Sequence, residues 1–561
     1  MQLHPATFHR NSLSVINRID SHDKILRVAW WALAVIIFGL TVAIRIRLLG
    51  IPLERDEGEY AYAGQLLLQG IPPYKLAYNM KFPGTYAAYA VIMSIFGQTV
   101  IGIHLGLLLV NAATIVLIFF LGRRLVNTTA GIAAAASYAV LSVSPSVLGF
   151  AGHATHFVIL PVLGGMLLLL DESDRQAFGR LFASGLLFGL GLLMKQPALF
   201  FIPFGAIYLL WNDLQRRFNL KKILLRNLIF GMAAIVPFGI TCLILWHTGV
   251  FHKFWFWTIQ YARQYGSLVP LSKAPQIFAG SIEQVIKACW TLLVLAGFGL
   301  VAGFWCKGTR ASAGILLGLL ASSTLALSAG FYFREHYFIL MLPAVSLLAG
   351  LAVSNQVRVS RLRSSSNPMQ DACGALLRIV PLLLFGAALS LPILLGKKIF
   401  FGASPVEVCR MIYGSNPFPE SVRIGEYLRE HSSPDDTIAV LGSEPQIYFY
   451  AQRHSATGYI YTYGLMEPQK YAQQMQQEMI REIERVRPKY LISVVIYTSW
   501  LRRSGSERLV FTWANEYTAE NYAVVGFVNM AAPSQTDYYF GDIPQSVPQL
   551  GNYILIYERK S

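Results

Sequence analysis

The sequence predicts a polytopic all-α membrane domain of about eleven transmembrane helices, with further helices lying along its outer surface, followed by a small α/β soluble domain. Composition gives the first reason. Of 561 residues, 54% are hydrophobic and only 14% charged, against about a quarter charged in soluble domains, and mean hydropathy is +0.47. This excludes a disordered chain, a fibrous repeat and an ordinary cytosolic enzyme. Charge distribution gives the second reason. Residues 1–396 hold 30 Lys and Arg against 13 Asp and Glu, whereas residues 397–561 hold 16 against 17, so the two parts face different surroundings. A basic surplus in a membrane chain reports topology, and no nucleic-acid motif accompanies it. The five cysteines form neither a CxxC pair nor a disulfide framework.

A bilayer core of about 30 Å takes roughly 20 apolar helical residues. Such runs fall near 28–48, 100–122, 130–149, 156–170, 178–194, 197–211, 226–246, 287–305, 311–331, 336–353 and 374–396. Residues 1–27 form a mostly polar arm with Arg10, Arg18, Lys24 and Arg27 and no secretory cleavage pattern. Basic residues then follow every second span: Arg123 and Arg124, Arg175 and Arg180, Arg216 and Arg217 with Lys221 and Lys222, Lys307 and Arg310, then Arg358, Arg361 and Arg363. Positive residues favour the cytoplasmic side, so the arm and these loops are cytoplasmic, and an odd span count puts the C-terminus outside. The organisation expected is an arm at 1–27, a membrane domain at 28–396 and an extracytoplasmic α/β domain at 397–561, entered at Pro417 and Pro419.

The outer side keeps Glu54, Asp56, Glu57, Glu59, Glu283 and Glu335, four of them in one stretch after the first span. Carboxylates at a membrane edge are costly unless solvated or paired. They serve either as caps on a short helix or as a site. An amphipathic helix continues over 60–68, Gly70-Ile-Pro-Pro-Tyr74 turns the chain, and a second helix follows at 84–96. At roughly 18 Å this second helix is too short to cross and should lie along the outer surface. The loop of residues 50–99 therefore carries acids at one end and Lys81 near the other. In the tail, strands are expected at 437–441, 491–496 and 553–557, and a polar helix at 467–487 is stopped by Pro488. Gly442-Ser-Glu-Pro445 reads as a strand-to-helix turn with Ser443 as N-cap.

Five segments in order carry a family resemblance: Arg55-Asp-Glu-Gly-Glu-Tyr-Ala61, Lys81-Phe-Pro-Gly-Thr-Tyr86, Gly122-Arg-Arg-Leu125, Met194-Lys-Gln-Pro-Ala-Leu199 and Arg334-Glu-His-Tyr-Phe-Ile-Leu-Met-Leu-Pro343. Together they resemble the GT-C class of integral-membrane glycosyltransferases, and within it the family 39 group of protein O-mannosyltransferases, aminoarabinose transferases and lipid galacturonosyltransferases. The resemblance covers about residues 28–353. It implies a GT-C fold and an inverting transferase that takes a sugar from a polyprenyl-phosphate donor outside the cytoplasm, in a bacterial inner membrane, and passes it to a lipid, glycan or protein acceptor. Met80 stands where the aminoarabinose branch has a glutamate, and the turn at 149–156 lacks the acid expected near Thr155 or His156.

Such a transfer needs a general base, in-line attack and cations on the leaving phosphate. Asp56 is the expected base. Glu57, the second catalytic candidate, lies on another helical face and is expected to bind a hydroxyl, a partner cation or a metal. Lys81, Lys195, Arg334 and Tyr337 are the expected donor phosphate ligands, with snorkelling to lipid headgroups the alternative for these cations. Pro83 and Pro197 break helices beside the two lysines. His153 and His156 are candidate acceptor or metal contacts. Two histidines without a carboxylate make no zinc signature, so the metal stays open, and polar side chains at a wet helix end are the commoner outcome. The stripe Phe254-Trp-Phe-Trp257, Tyr261, Arg263 and Tyr265 reads as an interfacial anchor first and a substrate wall second.

Two other classes compete. A transporter or flippase of lipid-linked sugars usually shows two similar halves, and none is visible. An outer-face polysaccharide ligase or polymerase would carry its long outer loop late in the chain.

Overall fold

The computed structural model describes all residues except 1–5, 171–176, 364–370, 533–534, 547–548 and 561, and describes side chains except at 6–23, 177, 358–363 and 371–378. Arg175 therefore lies outside the described residues, and the side chains of Arg10, Arg18, Arg358, Arg361 and Arg363 outside the described side chains.

Helix α1 (Ala6–Arg47) begins inside the expected arm, so from Ala6 on the arm and the first span are one helix. The first loop holds α2 (Arg55–Leu68) and α3 (Gly84–Phe96). Then come α4 (Val100–Leu125), α5 (Thr128–Ser142), α6 (Ala154–Leu169), α7 (Ala177–Met194), α8 (Phe201–Gln215) and α9 (Leu220–His247). Short helices α10 (Phe251–Trp255) and α11 (Ala262–Gly266) flank a π-turn at Phe256–Tyr261. The bundle ends with α12 (Ala274–Trp305), α13 (Arg310–Leu327), α14 (Leu342–Arg363) and α15 (Asp371–Leu395).

Among the described residues, seven helical segments are long and apolar enough to cross a bilayer. The other four expected spans are shorter apolar helices at 128–142, 154–169, 178–194 and 379–395. Packing explains two of these. Helix α5 is buried from Ala130 to Ser142 and α6 along most of its length, so neighbouring helices rather than lipid fix their lengths. Burial grades outward from α14, whose apolar window is 89% buried, to α1 at 17%. Ile25, Val35, Ile36, Ile207, Leu243 and Phe298 are exposed apolar side chains on the outer helices. With so many apolar helices facing outward, the chain is an integral membrane protein.

The C-terminal part is one six-stranded sheet with helices around it. Its strands are β1 (Thr437–Leu441), β2 (His454–Ser455), β3 (Tyr490–Val495), β4 (Tyr522–Ala532), β5 (Gln535–Phe540) and β6 (Asn552–Arg559), in the order β2-β1-β3-β6-β4-β5. The first three pair in parallel and the rest antiparallel. The expected strands are β1, β3 and β6. Strand β4 escaped the pattern because a register shift between Val524 and Gly526 breaks its alternation. The expected helix at 467 starts only at Ala472, because Pro468 holds Glu467 extended.

Ser443 is not an N-cap. Its N–H donates to the Ser499 carbonyl at 3.1 Å, its Oγ lies 2.9 Å from Thr462 Oγ1, and the helix Gln446–Ala451 has no side-chain cap. The turn instead serves as a dock for α2.

The first loop and the sheet share one apolar core. Tyr62 stacks on Tyr448 with centroids 5.1 Å apart, and its hydroxyl accepts from the Ser455 N–H at 2.8 Å. Gly58 is required there, since a Cβ would stand 2.5 Å from Gln446 Cβ. Arg55 completes the joint. It pairs with Glu444 at 2.6 Å and donates to the Ser443 carbonyl.

Candidate active site

Helix α2 forms where it does because Glu54 caps it. Glu54 Oε1 accepts from the Glu57 N–H at 2.9 Å, and Glu57 Oε2 accepts from the Glu54 N–H at 3.4 Å. This is a capping box, with Asp56 and Glu57 in the favourable first turn. Of the two readings of these acids, capping holds for Glu54, and its neighbours point elsewhere.

Successive residues of Arg55-Asp-Glu point three ways. Arg55 reaches the sheet domain. Asp56 lines a cavity of about 240 Å³ between the bundle and the sheet domain. Glu57 is buried away from that cavity, accepting from the Gly152 N–H at 2.5 Å and facing His104 Nε2 at 3.1 Å. It pins the turn that carries His153.

Asp56 Oδ1 lies 2.9 Å from Lys81 Nζ and 3.1 Å from the Tyr461 hydroxyl, which donates to it. Lys81 also reaches Glu59 Oε2 at 2.7 Å, and Glu59 accepts from Asn79 at 2.8 Å and Tyr86 at 2.6 Å. Burial alone would raise the Asp56 carboxyl, but the Lys81 ammonium, by its charge and its hydrogen bond, holds it well below the usual carboxylate range. For Lys81 the same burial is outweighed by Asp56 and Glu59, which hold its ammonium charged.

Lys195, Arg334 and Tyr337 line the same cavity. Lys195 sits 3.9 Å from the Tyr337 ring centroid, and Arg334 5.8 Å from that of Tyr332. Neither forms an ion pair with a carboxylate among the described residues. Burial, with Lys81 and Arg334 nearby, lowers the Lys195 ammonium to about 7.

His153 and His336 stack with centroids 4.1 Å apart. Asp56, His153 and His336 each offer a ligand atom, all within 4.8 Å of one another. Both His153 nitrogens are buried without hydrogen-bond partners, and burial pushes its imidazole down to about 4, so it is neutral. Two imidazoles and one carboxylate fit a divalent transition ion. His156 is also buried with both nitrogens unpartnered, but it does not line the cavity.

Sequence reasoning left four contributors unassigned. Glu59 sits three residues after Asp56, on the same helical face, and that spacing was a usable signal. His336 lies inside a quoted motif but had no assigned role. Tyr461 and Glu467 come from the sheet domain, and nothing local marks them.

Residues 81–240 match the family model described as dolichyl-phosphate-mannose-protein mannosyltransferase. No curated protein sequence matches the chain. ArnT from Cupriavidus metallidurans bound to undecaprenyl phosphate is similar in structure, with a TM-score of 0.57 at 14% identity, over 93% of this chain and 99% of that one. In the apo state the same protein gives 0.54 at 14% identity, over 94% and 98%. The apo oligosaccharyltransferase of Archaeoglobus fulgidus gives 0.51 at 13% identity, over 92% and 75%. These matches show a shared fold, that of the GT-C glycosyltransferases.

Proposed function

We propose that this chain, a membrane protein with the GT-C fold, transfers a sugar from a polyprenyl-phosphate donor to an acceptor hydroxyl on the outer membrane face, inverting the anomeric carbon. One observation supports this above the rest: a single cavity holds the ionised Asp56 together with Lys195 and Arg334, cations without a carboxylate partner among the described residues. Two cations not paired with a carboxylate, standing beside an ionised one, suit a phosphate leaving group opposite a base.

Asp56 takes the acceptor proton as the acceptor oxygen bonds to the anomeric carbon. The bond from that carbon to the phosphate oxygen breaks, and its electron pair leaves with the phosphate. Arg334 and Lys195 hold the developing charge, with Tyr337 beside them. Lys81 keeps Asp56 ionised and Glu59 keeps Lys81 in place. General-base help of this kind is worth about 10²–10⁴-fold.

Asp56, His153 and His336 would hold a divalent ion, which when bound supplies positive charge near the phosphate. Glu57 positions the His153 turn in this scheme rather than touching substrate. The arm and basic loops would face the cytoplasm, in a bacterial inner membrane.

The test is release of free polyprenyl phosphate by protein in liposomes, given a panel of polyprenyl-phosphate sugars and acceptors. Arg334→Ala should lose release. Donor that crosses the bilayer unconsumed would instead indicate a transporter.

A further inference from the structure

The cavity has a second carboxylate far in sequence from the first. Glu467 lines it from the sheet domain and is buried, at 7% exposure. Its Oε2 accepts from the Tyr261 hydroxyl at 2.7 Å. Its Oε1 has no hydrogen-bond donor among the described residues. That second oxygen is not sealed in the protein but opens into the cavity, so the site offers an acceptor to a ligand that donates hydrogen bonds.

The surroundings hold this group rigidly. Pro468 fixes Glu467 extended. Gly464 lets the Tyr261 hydroxyl press on the backbone, where a Cβ would stand 2.7 Å from that oxygen. Trp257 packs edge-on against Tyr261 at 5.1 Å, and Tyr265 stacks on Tyr332 at 4.5 Å. Aromatic walls with a few fixed polar groups suit a small hydroxylated ring.

We propose that Glu467 and Tyr261 form the sugar-binding end of the cavity and select a neutral, hydroxyl-bearing sugar ring of the carrier-linked donor, an inference that rests on the function proposed above. Proximity assigns the sugar to the donor. Arg334, a phosphate ligand in that scheme, lies close enough to Glu467 to act on its charge, and a donor sugar is joined directly to the phosphate. Charge selects a neutral ring. Burial outweighs Arg503 and Arg334 at Glu467, so a sugar acid would set a second carboxylate against a carboxyl whose surroundings already disfavour negative charge, whereas a neutral hydroxyl adds none. Burial raises Glu467 to about 7, which lets it accept from or donate to a hydroxyl near neutrality.

Equilibrium binding to the full-length protein in detergent tests this. The probes are a short-chain polyprenyl phosphate, the same carrier bearing each of several neutral hexoses and pentoses, and the carrier bearing a hexuronate. Wild type should bind one of the neutral sugar carriers at least about tenfold more tightly than the bare carrier. Glu467→Gln and Tyr261→Phe should each erase most of that margin while still binding the bare carrier, which also shows that they fold. The proposal is overturned if both variants keep the margin, or if only the hexuronate gains one. Bare carrier binding with no margin for any neutral sugar overturns this proposal alone. No binding of the bare carrier would overturn the parent function as well.

Discussion

Lys81 Nζ lies 2.9 Å from Asp56 Oδ1 and 2.7 Å from Glu59 Oε2, so one ammonium joins two carboxylates that stand on one face of α2. The arrangement explains how an acid buried at a membrane edge stays ionised. It also explains why Lys81, 25 residues downstream of Asp56, belongs to the same unit.

Removing that ammonium should damage fold and activity together. Lys81→Met leaves Asp56 and Glu59 uncompensated, and breaking a buried pair from one side costs about 3–5 kcal/mol. Lys81 and Asp56 keep some exposure, with side chains at 20% and 16%, so solvent screening brings the expected loss to about 1–3 kcal/mol. Thermal unfolding in detergent measures it. The double variant Lys81→Met with Glu59→Gln should recover part of the loss, because it removes one orphaned charge.

Glu57 should behave as a structural residue. Its partner His104 has Nδ1 2.7 Å from the Leu49 carbonyl and Nε2 3.1 Å from Glu57. Both ring nitrogens face oxygen atoms. Glu57→Ala removes the partner of His104 Nε2 and of the Gly152 N–H, a loss of about 3 kcal/mol in stability. Below the lowered melting point, turnover by Glu57→Gln should fall far less than turnover by Asp56→Asn.

Carrier binding should weaken as pH rises past 7. Lys195 is lowered by burial to about 7 in the free protein, and bound phosphate favours its charged form, so its pKa rises on binding. Protons are therefore taken up with ligand, and affinity falls above the free value, by about tenfold per pH unit at most. Titration of short-chain polyprenyl phosphate at pH 6, 7 and 8 checks the sign. Lys195→Arg should flatten the profile, since arginine stays charged.

Metal content should track the two stacked imidazoles. Elemental analysis of protein purified with manganese or zinc should find about one ion per chain, given a two-histidine, one-carboxylate set. His153→Ala and His336→Ala should each lose it, while His156→Ala, outside the cavity, should retain it. Retention in both of the first two variants would remove the metal assignment.

The fold was legible in sequence wherever one interaction set local structure. Apolar runs mark helices because lipid demands them, and β1, β3 and β6 read as strands because each is an apolar run between turns. Strand β4 is interrupted near Gly526, so its alternation fails. The site was half legible. Asp56, Lys81, Lys195, Arg334 and Tyr337 line one cavity, and each sits in or beside a local motif. Tyr461 and Glu467 were not legible, because their place depends on the sheet domain docking over α2. That docking runs through Arg55 and Glu444, 389 residues apart, a pairing that no spacing rule reveals.

The most direct measurement compares purified wild type with Asp56→Asn for sugar transfer from a polyprenyl-phosphate donor in liposomes, with both proteins matched in thermal stability. The proposed reaction requires wild type to consume one donor and release free carrier, and Asp56→Asn to lose about 10²–10⁴-fold in rate while still binding the carrier. Equal rates for the two proteins would contradict Asp56 as the base.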